Sequence, residues 1–147
     1  MTTYWSESTT CGACGRVFTH ECLTSTNAYG SPDLDLRPPE MRRSTMASWV
    51  QHCPTCGYCG KDVSKFEAKP RGLLEDAGYQ SQLADNEYPA LASTFICDGK
   101  ISEFACEAVA AGWHYLHAAW VRSKGGREWS SAATWGMAVM CKDSAPR

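Results

Sequence analysis

The chain has no surplus of charge of either sign: 14 Lys and Arg stand against 16 Asp and Glu, a formal −2. Phosphate backbones are held mainly by clustered cations, so nucleic acid is not the expected partner. No stretch approaches the roughly 18 consecutive apolar residues of a membrane-crossing helix. The opening MTTYWSESTT shows neither the basic nor the apolar region of an export leader. The expectation is a soluble, cytoplasmic protein. Chemistry-bearing motifs are also scarce, with no Gly-rich phosphate loop and no serine nucleophile elbow. A zinc deaminase needs a ligand-x-Glu pair, but His20-Glu21 lacks the spacer and Cys53-Pro-Thr-Cys56 carries its proline inside the pair.

What is present is a folded composition and a great deal of sulfur. Hydrophobic residues make up 44% and charged residues 20%, with six Trp, a balance that buries a core and does not stay disordered. Nine cysteines cannot all pair with one another. Without a leader, reduced thiols and metal ligation are the better reading.

Two segments share one pattern, Cys11-Gly-Ala-Cys14-Gly15 and Cys53-Pro-Thr-Cys56-Gly57. Thiolates two residues apart converge on one ion from a tight turn, and the trailing glycine lets the backbone reverse where a side chain would obstruct it. Two such knuckles complete a tetrahedron. Cys11, Cys14, Cys53 and Cys56 are therefore the expected ligands of one structural Zn2+. Iron in a rubredoxin-like arrangement is the less favoured ion, since the same spacing serves both. Four thiolates leave no position for water, so no catalysis is expected there. Redox chemistry by either dithiol is the competing reading, weakened because neither CxxC opens a helix in a βαβ setting.

Other candidates rank lower. Cys59 continues the second pair as a C-x2-C-x2-C run without the fourth cysteine of a ferredoxin, and reads as a spare thiol near the site. His20, Cys22 and His52 lie close to the knuckles and could replace a ligand, though each reads more simply as a strand residue. Cys97, Cys106 and Cys141 fall on apolar helical faces as buried structural thiols. His114 and His117, one turn apart, could form half of a metal site. Asp33 and Asp35 could be paired acids, but a proline loop favours turn chemistry.

The spacing predicts an α+β chain: a small β zinc ribbon with two CxxC knuckles over residues 1–69, then antiparallel helical hairpins over 70–147. Strands are expected on both sides of Cys11–Cys14, an excursion loop over 25–44, and a strand over Thr45–His52. Helices are expected over Pro70–Gly78, from about Glu87 to a stop at Asp98-Gly99, over Ile101–Arg122, and over Glu128–Lys142.

With these elements in place, the chain resembles an uncharacterised bacterial family of zinc-ribbon proteins. The likeness rests on Cys11 to Gly15, on Ser31-Pro-Asp-Leu-Asp-Leu-Arg-Pro-Pro39, and on His52 to Tyr58. Tyr88 to Ala92 and Ala118 to Val121 extend it into helices similar to tetratricopeptide hairpins. It departs at Gly12, where the family usually has proline, and at Cys59. The resemblance implies a metal-stapled ribbon fused to a partner-binding helical segment. The leading functional expectation is a structural or adaptor protein bound to another protein, ahead of a nucleic-acid-binding ribbon using Arg16, Arg37, Arg42, Arg43, Lys61 and Lys65, and of a dithiol or electron-transfer protein.

Overall fold

The computed structural model describes residues 2–123; the expected helix over 128–142, and Cys141, lie outside the described residues. The expected α+β architecture is observed, with two antiparallel β-hairpins that each carry a CxxC pair at the turn, followed by packed helices.

Strands β1 (Thr3–Thr10) and β2 (Val17–Ser25) pair in register from Thr10 opposite Val17 outward to Tyr4 opposite Leu23, with an irregularity beyond Tyr4. Their alternating Thr, Val and aromatic residues suit a pleated ribbon, and the first knuckle is its turn. The second hairpin is minimal: β3 (Gln51–His52) pairs with β4 (Cys59–Gly60) across the second knuckle.

Between the hairpins the excursion loop is tied down by its own charges. Arg43 Nη2 meets Asp33 Oδ2 at 2.6 Å, and Arg37 Nη2 meets Asp35 Oδ2 at 3.1 Å. The two aspartates are thus salt-bridged turn residues and not paired acids. A single helical turn, α1 (Glu40–Arg43), ends the loop. The strand expected over Thr45–His52 is confined to its last two residues, because Met46–Ser48 forms a 3-10 turn. Side chains capture that turn: Thr45 Oγ1 accepts from Trp49 Nε1 at 3.0 Å, while Ser48 Oγ donates to the Thr45 carbonyl at 2.7 Å.

The helix expected over Pro70–Gly78 is two shorter ones, α2 (Arg71–Leu74) and α3 (Ala77–Leu83). Asp76 separates them by capping α3, its carboxylate accepting from the Gly78 and Tyr79 amides. The expected break at Asp98-Gly99 does not occur. Helix α4 (Ala90–Phe104) runs through it, and the chain reverses at Cys106, where φ is +60°, before α5 (Ala108–Ser123). Gly99 lies where the helices touch, since a Cβ there would come within 2.7 Å of the Tyr115 ring. Asp98 meets His114 and Phe95 meets His117, so the helices run antiparallel.

Two cores result. One gathers Met46, Val50, Ala92, Phe95, Ala118 and Trp120. The other draws Cys11, Cys53, Tyr58, Cys59 and Val63 together with Leu74, Tyr79, Cys97 and Ile101. The knuckle region and the helices therefore bury one surface in common, and the cysteines form part of that core.

Candidate metal centre

The two knuckles have the same backbone. In each, the first cysteine's amide donates to a carbonyl five residues on (Cys11 to Arg16, 2.8 Å; Cys53 to Tyr58, 2.9 Å). In each, the glycine amide returns to that cysteine's carbonyl (Gly15 to Cys11, 2.8 Å; Gly57 to Cys53, 2.9 Å). The closing glycines have φ of +73° and +77°, a left-handed conformation that costs a residue with a Cβ about 1 kcal/mol or more. One further bond, from the Gly12 amide to the Val63 carbonyl at 2.9 Å, ties the first knuckle to the segment after β4.

This framework brings four sulfurs to one point. The Sγ atoms of Cys11, Cys14, Cys53 and Cys56 all lie within 4.8 Å of one another. Across the knuckles, Cys11 stands 3.7 Å from Cys56 and Cys14 stands 3.7 Å from Cys53. A metal–sulfur bond of about 2.3 Å gives a regular tetrahedron an edge of about 3.8 Å. A disulfide would need about 2.05 Å. The spacing thus fits four thiolates around one ion, and the group is able to hold one metal ion.

Electrostatics point the same way. Burial pushes the thiols of Cys11 and Cys56 up, and for Cys56 the neighbouring sulfurs of Cys14 and Cys53 add to it. Burial opposes ionisation of Cys53 as well, but the amides of Cys56 and Thr55 together with the thiols of Cys56 and Cys11 outweigh it and bring that thiol down to about 7. Four sulfurs this close cannot all be anionic without a cation between them.

The remaining sequence candidates fall elsewhere. Cys59 is fully buried in the shared core with its Sγ donating to the Gly57 carbonyl at 3.3 Å. Its contact with Cys97, reinforced by burial, pushes its thiol far up, which makes it an inert core thiol. His52 is exposed on β3 and belongs to neither group of possible ligands. His20 and Cys22 come together with Glu7, not with the four cysteines. Glu7 escaped the sequence reading, although counting outward from the first knuckle places it opposite His20. Burial and the Glu7 carboxylate push the Cys22 thiol up.

His114 and His117 do not form half of a metal site among the described residues. His114 Nδ1 lies 3.1 Å from Asp98 Oδ2. His117 is boxed by the rings of Trp49, Phe95, Trp113 and Trp120, and that burial, with some effect of His114, lowers its pKa to about 4. No helix among the described residues is long and apolar enough to cross a membrane. No family model, curated protein or solved structure matches the chain.

Proposed function

We propose that this chain is a structural zinc protein whose metal staples the two knuckles to each other, and that the stapled body with its helices serves as an interaction module for another protein. The observation that carries the reading is the four-sulfur cluster with its 3.7 Å cross-knuckle edges. Zinc is favoured over iron because its closed tetrahedral four-thiolate site is a common structural device and needs no redox partner. A structural zinc contributes about 10 to 16 kcal/mol in finger peptides. Two hairpins, one with two-residue strands, do not match that from their own burial.

Support for the interaction role comes from what the fold leaves outside. Tyr4 and Trp5 on β1, and Tyr29, Leu34 and Leu36 in the excursion loop, are large apolar side chains more than two-fifths exposed. Aromatic anchors on a rigid support are the usual energetic centres of protein interfaces. The test is to purify the protein from its native cell with its associated proteins, then repeat with Trp5→Ser and Leu34→Ser. The reading expects one tightly held zinc per chain in both preparations and loss of a stoichiometric companion only from the variants. Zinc-free folded protein, or a companion indifferent to these substitutions, would contradict it.

A further inference from the structure

Glu7, His20 and Cys22 share one face of the β1–β2 hairpin. Glu7 is paired directly with His20, and Cys22 follows His20 by two residues, so all three side chains project to the same side. Cys22 Sγ lies 3.1 Å from His20 Nε2 and 3.3 Å from Glu7 Oε2, and the three donor atoms lie within 4.8 Å of one another. The Glu7–His20 pair is three strand positions out from the Thr10–Val17 pair that adjoins the first knuckle, about 10 Å along the ribbon, and the group is distinct from the four-cysteine cluster.

Gln51 settles how the imidazole is presented. Its Oε1 accepts the Val63 amide at 3.0 Å, which turns its NH2 toward His20 Nε2 at 2.7 Å. An N–H donor can face that nitrogen only if Nε2 carries a lone pair. The Cys22 thiol donates its one proton to Glu7 Oε2, and its sulfur lies beside the same lone pair. The ring thus stands in the tautomer that ligates metal through Nε2.

We propose that Glu7, His20 and Cys22 form a second metal site, for a divalent ion of the zinc type. One oxygen, one nitrogen and one sulfur suit a borderline ion, whereas calcium and magnesium require mainly oxygen. On binding, the Cys22 proton leaves to solvent, the sulfur, Nε2 and the carboxylate take three positions, and the fourth is open to water or to a donor from another molecule. Gln51, displaced from the lone pair, keeps its Val63 bond. With Glu7 exposed and His20 and Cys22 half-buried, the ion reaches the site directly from solvent and exchanges more readily than one held by four thiolates.

The test is a Co2+ titration of the full chain already loaded with one equivalent of zinc. The proposal expects a further equivalent of cobalt with the near-ultraviolet absorption of a single thiolate ligand. Cys22→Ser should abolish that absorption, His20→Gln should remove the added equivalent, and Glu7→Gln, on an exposed side chain, should weaken binding about tenfold or more. Far-ultraviolet circular dichroism establishes that each variant is folded; if either substitution on β2 unfolds the chain, Glu7→Gln decides alone. No further cobalt bound, or absorption that persists in Cys22→Ser through displacement of zinc elsewhere, would overturn the proposal. Because loading of the first equivalent is measured separately, failure of the four-cysteine reading is recognisable on its own.

Discussion

The Tyr79 hydroxyl, on α3, donates a 2.8 Å hydrogen bond to the carbonyl of Gly57, the glycine that closes the second knuckle. Tyr79 is fully buried, and burial with the nearby Cys59 raises its hydroxyl far above the usual tyrosine range, so it remains a donor at any working pH. The helical half thereby holds the backbone of a ligand loop directly. Tyr79→Phe keeps the ring and removes the donor, leaving the carbonyl with only the weak thiol bond from Cys59. The expected loss is about 1–3 kcal/mol in denaturant unfolding of the metal-loaded protein, with faster metal loss to a chelator. Unchanged stability and release would show that the contact does not support the knuckle.

The closing glycines are alike in φ but not in surroundings. A Cβ on Gly15 meets nothing within 4 Å, whereas one on Gly57 would lie 2.6 Å from Leu83 Cδ1. Gly15→Ala should cost only the left-handed penalty, about 1–2 kcal/mol. Gly57→Ala should cost that plus about 0.5–1.5 kcal/mol, because the Leu83 side chain must turn aside from its rotamer. Thermal unfolding of the two variants checks the order, and equal losses would count against the packing described.

Gly99 marks a place where helix propensity and packing disagree. Its Cβ would lie 2.7 and 2.9 Å from Cε1 and Cζ of Tyr115. Although alanine is the better helix former by about 1 kcal/mol, Gly99→Ala should destabilise by about 1–3 kcal/mol. Adding Tyr115→Leu should recover part of that loss, a coupling that a double-mutant cycle measures.

Acid should act on His117 as well as on the thiolates. The histidine titrates near 6.5 unfolded and at about 4 in its aromatic box. Its folded pKa is depressed, so protonation favours the unfolded chain, and stability falls as pH drops from about 6.5 toward 4. His117→Phe removes this contribution while thiolate protonation remains. The unfolding midpoint of the variant should therefore fall less than that of the unchanged chain between about pH 7 and pH 4.5. Parallel curves would mean that the ring is not protonated on unfolding.

The parts of this fold that could be read from sequence are those in which local chemistry dictates geometry. CxxC followed by glycine prescribes a turn with a left-handed closing residue, and both knuckles adopt it at Gly15 and Gly57. The strands flanking the first knuckle follow from their Thr, Val and aromatic content. The break expected at Asp98-Gly99 failed because a signal that ends an exposed helix here serves a helix–helix contact; no local pattern reveals that Tyr115 lies opposite. The strand expected over Thr45–His52 is cut to Gln51–His52 because Thr45 and Ser48 bind the backbone of a tight turn. Glu7 was passed over because a lone glutamate in a strand has meaning only once the hairpin register places it beside His20 and Cys22.

The central claim is that four cysteines close around one ion, and the sulfur coordination of the tightly held metal tests it most directly. X-ray absorption at the metal edge of protein purified with one equivalent should show zinc with four sulfurs at about 2.3 Å and no nitrogen or oxygen neighbour. Fewer than four sulfurs, a mixed ligand shell, or a folded chain that holds no metal at all would contradict the account.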